Sequence, residues 1–122
     1  MKIKSVTPQL RTTDLEASIR FYTETLGFQL AFRFRDFYAG ICAGSYAFHL
    51  KLVDDSDPSI PFVRDGEHVH LYVEVDDVRA AAEELERKGV RLTRGSRETE
   101  YRTREISLED DQGHTIYLFE NL

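Results

Sequence analysis

The sequence predicts an α+β fold made of two β-α-β-β-β modules. Three observations predict it. The same order of elements occurs twice, each copy opens with a strand followed by a helix start signal, and several strand segments alternate between an apolar and a polar or aromatic face.

In the first copy, Ile3 to Arg11 reads as a strand. Thr12-Thr13-Asp14 then marks a helix start, with Thr13 and Glu16 at capping-box spacing and Asp14 suited to the first turn. Leu15, Ile19, Tyr22 and Leu26 gather on one helical face, and Gly27 can close the helix. Strands follow over Phe28 to Phe34, Phe37 to Ala43 and Tyr46 to Val53, with Gly44-Ser45 as a hairpin turn.

The acidic, proline-containing stretch 54–66 reads as a linker between module 1 (1–53) and module 2 (67–122), the two together forming a single domain over 1–122. Glu67 to Val75 opens the second copy, Asp76-Asp77 is its cap, and Val78, Ala81, Ala82 and Leu85 form a helical face closed by Lys88-Gly89. Val90 to Arg94, Arg102 to Glu109 and His114 to Glu120 read as the last three strands. Either module alone would bury too little surface for comfortable stability, so the halves are expected to pair within a chain or across a dimer.

A chain of 122 residues, 41 % hydrophobic and 31 % charged, can build a packed core. Acidic residues outnumber basic ones 22 to 16, a formal charge of −6, which disfavours a nucleic-acid backbone as partner and tolerates a cationic ligand. No apolar run reaches the roughly 20 residues that span a bilayer. The start Met1-Lys2-Ile3-Lys4-Ser5 lacks a leader-like apolar stretch, so no membrane association and a cytoplasmic location are expected. Cys42, the single cysteine, excludes an internal disulfide and a multi-cysteine zinc site. No glycine-rich phosphate loop is present.

Alternation sorts the strand residues. Val69, Leu71, Val73 and Val75 form an apolar row, leaving His68, His70, Tyr72 and Glu74 opposite. Ile116 and Leu118 oppose Thr115, Tyr117 and Phe119, while Tyr46, Phe48, Leu50 and Leu52 oppose Ala47, His49 and Lys51. In the first strand Val6 and Leu10 are expected under the helix, with Ser5, Thr7, Gln9 and Arg11 facing away. The second faces combine hydrogen-bonding groups with aromatic walls, as small-molecule sites do. An antiparallel sheet with one plain solvated face would show the same pattern.

The segment Asp14-Leu15-Glu16-Ala17-Ser18-Ile19-Arg20-Phe21-Tyr22-Thr23-Glu24-Thr25-Leu26-Gly27-Phe28 resembles the DLxxSixFYtxvLGF segment of the vicinal oxygen chelate superfamily, the glyoxalase, bleomycin-resistance and extradiol-dioxygenase group. Val73-Glu74-Val75-Asp76-Asp77 and Glu109 to Phe119 are similar to its second-half segments, with Asp111 where the family usually has proline. The resemblance implies paired modules curling into half-barrels around a U-shaped cavity, and commonly a homodimer.

In metal-dependent members the ligands come from the first and last strands of each module, positions that look like Thr7, His49, His70 and Tyr117 here. Only two of these are histidines, whereas catalytic zinc usually keeps three protein ligands. Three functional classes follow. The first is a drug- or metabolite-binding protein without the full metal site, similar to the bleomycin-resistance members. The second is a lyase, isomerase or dioxygenase using His49 and His70 to hold Zn, Ni, Co, Mn or Fe. The third is a metal-free enzyme with His49 or His70 as general base, in which His70 and Tyr117 are the candidate catalytic pair. Thr7, Gln9, Arg11, His49, Lys51, His68, His70, Tyr72, Tyr117 and Phe119 are the candidate ligand-binding residues.

Overall fold

A computed structural model describes residues 1–122. The chain divides into two compact units, Met1–Pro61 and Phe62–Leu122. Unit 1 contains β1 (Gln9–Thr12), α1 (Leu15–Arg20), β2 (Gln29–Phe34), β3 (Tyr38–Ala43) and β4 (Tyr46–Leu52), with a π-helical turn at Phe21–Thr25 continuing α1. A short α2 (Ile60–Arg64) runs across the junction. Unit 2 contains β5 (His70–Glu74), α3 (Val78–Arg87), β6 (Arg94–Glu98), β7 (Thr103–Glu109) and β8 (Thr115–Asn121).

Each unit holds one four-stranded sheet, ordered β1-β4-β3-β2 in the first and β5-β8-β7-β6 in the second. In both, the first strand lies parallel to the last, and the remaining neighbours are antiparallel. The expected α+β fold with two β-α-β-β-β modules is what the chain forms.

α1 and α3 are each started by an aspartate. Asp14 and Asp77 sit in extended backbone and accept from the amides of Ala17 and Ala80, the three-residue reach of an N-cap. In unit 1 the cap is therefore Asp14 rather than Thr13. Thr12 bonds Ser18 at 2.7 Å beneath that turn, both side chains buried, which ties the strand end to the helix.

The apolar rows pack as alternation requires. Leu10 pairs with Leu50 in register, and both are buried under Leu15, Ile19 and Tyr22 of the helical segment's inner face. In unit 2, Ile106 pairs with Leu118 and Leu108 with Ile116, under Val78 and Leu85.

Four expectations shift. The first strand begins at Gln9 rather than Ile3, so Thr7 precedes it and Val6 is 87 % exposed instead of lying under a helix. The stretch 54–66, read as linker, contains α2. Tyr46, expected in the apolar row of its strand, is exposed at the hairpin end. The sixth strand is Arg94–Glu98, not Val90 to Arg94, because the amide of Val90 bonds back to Leu85 in the helix end. That strand's polar sequence Arg-Gly-Ser-Arg-Glu carries no hydrophobic alternation, and only its ladder with β7 makes it a strand.

Candidate functional site

The faces opposite the helices carry the chemistry. In unit 1, Gln9 and His49 are register partners on β1 and β4, and Gly40 of β3 is the next partner across. Tyr38, two residues earlier on β3, reaches over β4. Its hydroxyl accepts from the Gln9 amide nitrogen at 2.9 Å and lies 2.9 Å from His49 Nδ1. The Phe32 ring stacks on Tyr38, with centroids 6.3 Å apart, and meets His49 edge-on at 5.2 Å. Gly40 makes this arrangement possible, since a Cβ there would fall 2.3 Å from the Phe32 ring.

Arg11 and Lys51 are register partners on the same face. Arg11 donates to Asp57 at 3.1 Å, so that guanidinium is engaged within the unit. The Ser59 hydroxyl and amide hold Asp57 below its usual range, and Arg11 and Lys51 add to that effect. Thr7 is exposed ahead of the strand.

In unit 2 the equivalent face carries His70, Tyr72, Tyr117 and Phe119. Tyr72 and Tyr117 are register partners, their rings 6.0 Å apart, and Tyr72 stacks on Phe119 at 4.0 Å with an 18° interplanar angle. His70 lies 5.8 Å from Tyr117, and its Nε2 is 3.0 Å from the carbonyl of Gly66. Tyr72 donates to the buried Glu105 at 2.6 Å. Its partial withdrawal from water, reinforced by that carboxylate, pushes the phenol up to about 12.

His68 stands apart from this row. It precedes β5, and its ring partner is His114, 5.7 Å away. His114 is buried and pairs through Nδ1 with Asp110 at 2.7 Å. Asp110 also accepts the amides of Gln112, Gly113 and His114, which fixes the β7–β8 turn.

The registers make the two units comparable position by position. Gln9 opposes His49 as Tyr72 opposes Tyr117, so His49 and Tyr117 are equivalent, and Thr7 and His70 each lie two residues earlier. The donors implied for a metal are then two imidazoles, an aliphatic hydroxyl and a phenol. His49 Nδ1 is engaged with Tyr38, and no group of three or more His, Cys, Asp or Glu side chains is gathered to hold an ion. Two imidazoles are fewer than the three protein ligands that catalytic zinc usually keeps.

Tyr38 and Glu105 are the residues that strand-by-strand reading missed as site members. The signal lay in β7, where polar Thr103, Glu105 and Ser107 alternate with Ile106 and Leu108.

The sequence profile of the Glyoxalase/Bleomycin resistance protein/Dioxygenase superfamily matches residues 2–118. The chain belongs to this superfamily. An uncharacterised protein of Mycolicibacterium smegmatis (strain ATCC 700084 / mc(2)155) is 33 % identical over 113 residues, covering 93 % of this chain and 90 % of that one.

Among solved structures of similar fold, a virulence protein of Salmonella typhimurium has a TM-score of 0.75 at 20 % identity, covering 100 % of both chains. TnmS3, an antibiotic binding protein from Streptomyces sp. CB03234, has 0.74 at 24 %, also over 100 % of both. Lactoylglutathione lyase from Agrobacterium tumefaciens has 0.74 at 15 %, covering 98 % of this chain and 96 % of that one. A binding protein and a lyase thus share the glyoxalase-like fold, and function must be argued from side chains. No helix of the chain is long and apolar enough to cross a membrane.

Proposed function

We propose that this glyoxalase/bleomycin-resistance-like chain binds a small organic molecule on its aromatic and polar sheet faces, without a metal, in drug or metabolite sequestration. The observation that carries this reading is the Gln9–Tyr38–His49 network under the Phe32 ring. Hydrogen-bonding groups and an aromatic wall converge there on a face not covered by a helix. The antibiotic-binding protein of similar fold agrees with a small-molecule ligand, and the net charge of −6 agrees with one that carries positive charge.

The protein is proposed to act in the cytoplasm, where its free cysteine would stay reduced. It is also proposed to act as a homodimer, for which the exposed Phe34, Phe37 and Tyr46 supply apolar surface. Light scattering coupled to size exclusion tests the dimer, and a monomer at all concentrations would reject it.

Thermal unfolding against a panel of cationic and aromatic compounds, with and without chelator, tests the binding. A ligand at 100 times its Kd adds about 2.7 kcal/mol. The reading expects stabilisation insensitive to chelator, lost in Tyr38→Phe, and without turnover. Stoichiometric metal that disappears in His49→Ala and His70→Ala would overturn it.

The Tyr38–His49 contact favours one second reading, a metal-free enzyme. With one lone pair taken by Gln9, the Tyr38 oxygen can accept the Nδ1–H of His49 on the other, leaving Nε2 unprotonated as a base. Turnover with a pH–rate profile that changes in both Tyr38→Phe and His49→Gln would favour it.

A further inference from the structure

Unit 2 contains a buried carboxylate that strand formation does not require. Glu105 is 2 % exposed in the middle of β7, on the face shared with its register partner Phe119. Its Oε1 accepts three hydroxyls, from Tyr72 at 2.6 Å, Tyr101 at 2.9 Å and Thr103 at 3.1 Å. Its Oε2 lies 3.4 Å from the Arg97 guanidinium. The donors come from β5, the β6–β7 turn, β7 and β6, so one carboxylate gathers side chains from across the sheet.

Two details show that these contacts are built rather than incidental. The turn that presents Tyr101 holds Arg102 at φ +63°, a left-handed conformation that is unfavourable for a non-glycine residue. It is held by the Arg102 amide on Thr99, the Leu122 amide on Arg102, and a 2.7 Å Thr99–Thr103 hydroxyl contact. Furthermore, unit 1 bridges its sheet at the equivalent positions. Gln9 reaches Tyr38 across β4 as Tyr72 reaches Glu105 across β8, because Tyr38 opposes Lys51 as Glu105 opposes Phe119.

The two tyrosines are thus fixed at their hydroxyls while their rings remain open, Tyr72 48 % and Tyr101 65 % exposed. We propose that Glu105 is a positioning residue for ligand recognition, holding Tyr72 and Tyr101 so that unit 2 presents a preformed platform on which a planar aromatic ligand stacks. This rests on the ligand-binding function proposed above. A ring already immobilised in the free protein loses less freedom on binding, so the hydroxyl contacts strengthen stacking without touching the ligand.

The test uses proflavine as a planar probe and two conservative variants, Glu105→Gln and Tyr72→Phe, with far-ultraviolet circular dichroism to confirm folding. Tyr72→Phe keeps the stacking ring and removes only its tether. Both variants are expected to weaken proflavine by about tenfold. Near-ultraviolet titration adds a readout independent of any ligand. The tyrosine that ionises at about 12 should vanish in Tyr72→Phe and titrate lower in Glu105→Gln. Unchanged affinity in both variants, with unchanged titration in Glu105→Gln, overturns the role of Glu105 while leaving ligand binding intact. Failure of the native protein to bind any planar probe overturns the binding function and the platform with it.

Discussion

Tyr38 and Gly40 are two residues apart on one face of β3, and unit 1's polar network depends on both. The glycine leaves room for Phe32, and Phe32 in turn walls in the phenol and His49. Gly40→Ala must push that ring aside, an overpacking expected to cost about 1–3 kcal/mol in urea unfolding. It should also weaken any ligand that Tyr38→Phe weakens.

Glu105 sets a pH dependence. Burial pushes its carboxyl up, but Tyr72, Tyr101, Thr103 and Arg97 together outweigh burial and hold it below its ordinary value. A carboxyl lowered by folding contributes stability above its unfolded value and loses that contribution as pH falls through its folded value. Urea unfolding from neutral to acid pH should therefore show a flatter acid limb in Glu105→Gln than in the native protein.

His49, Gln9, Tyr72 and Tyr117 were legible as face residues because alternation in a strand is strict. Tyr38 was not marked by that alternation. Its role comes from reaching diagonally over a neighbouring strand, a relation that spacing along one strand does not encode.

Element starts and element ends differed in how plainly the sequence marked them. α1 and α3 both begin at an aspartate followed three residues later by an alanine amide, a local arrangement that a few residues encode. Asp14→Ala or Asp77→Ala should cost about 0.5–2 kcal/mol in chemical unfolding. The sequence does not mark β6 because its strand character is lent by β7, and it suggests too long a β1 because Ile3 and Val6 have strand-forming side chains but no ladder partner.

The central strands are the strongest elements. Ile116, fully buried, pairs with Leu71 on one side and Leu108 on the other. Ile116→Ala should remove about 2–5 kcal/mol, read as a lower midpoint in urea. Gly113 in the preceding turn is equally constrained. At φ +107° a Cβ would fall 2.7 Å from the carbonyl of Val63, so Gly113→Ala is expected to destabilise unit 2 as well.

At the scale of the whole chain, the repeated order of elements was the most legible feature, since it needed only the coarse placement of strands, caps and turns. What the repeat could not convey is that equivalent positions carry different chemistry, a histidine and a glutamine in one unit against two tyrosines in the other. The parallel pairing of first and last strands has a further consequence for biosynthesis. Each sheet is closed by its final strand, across about 40 residues, so neither can be completed early. β4 ends at Leu52, before β5 begins at His70, whereas β8 runs to Asn121. At about 5–20 residues per second, the ribosome gives unit 1 several seconds to close before the last strand of unit 2 has been made. Nascent unit 1 therefore has time to pair its strands before the sheet of unit 2 can be completed.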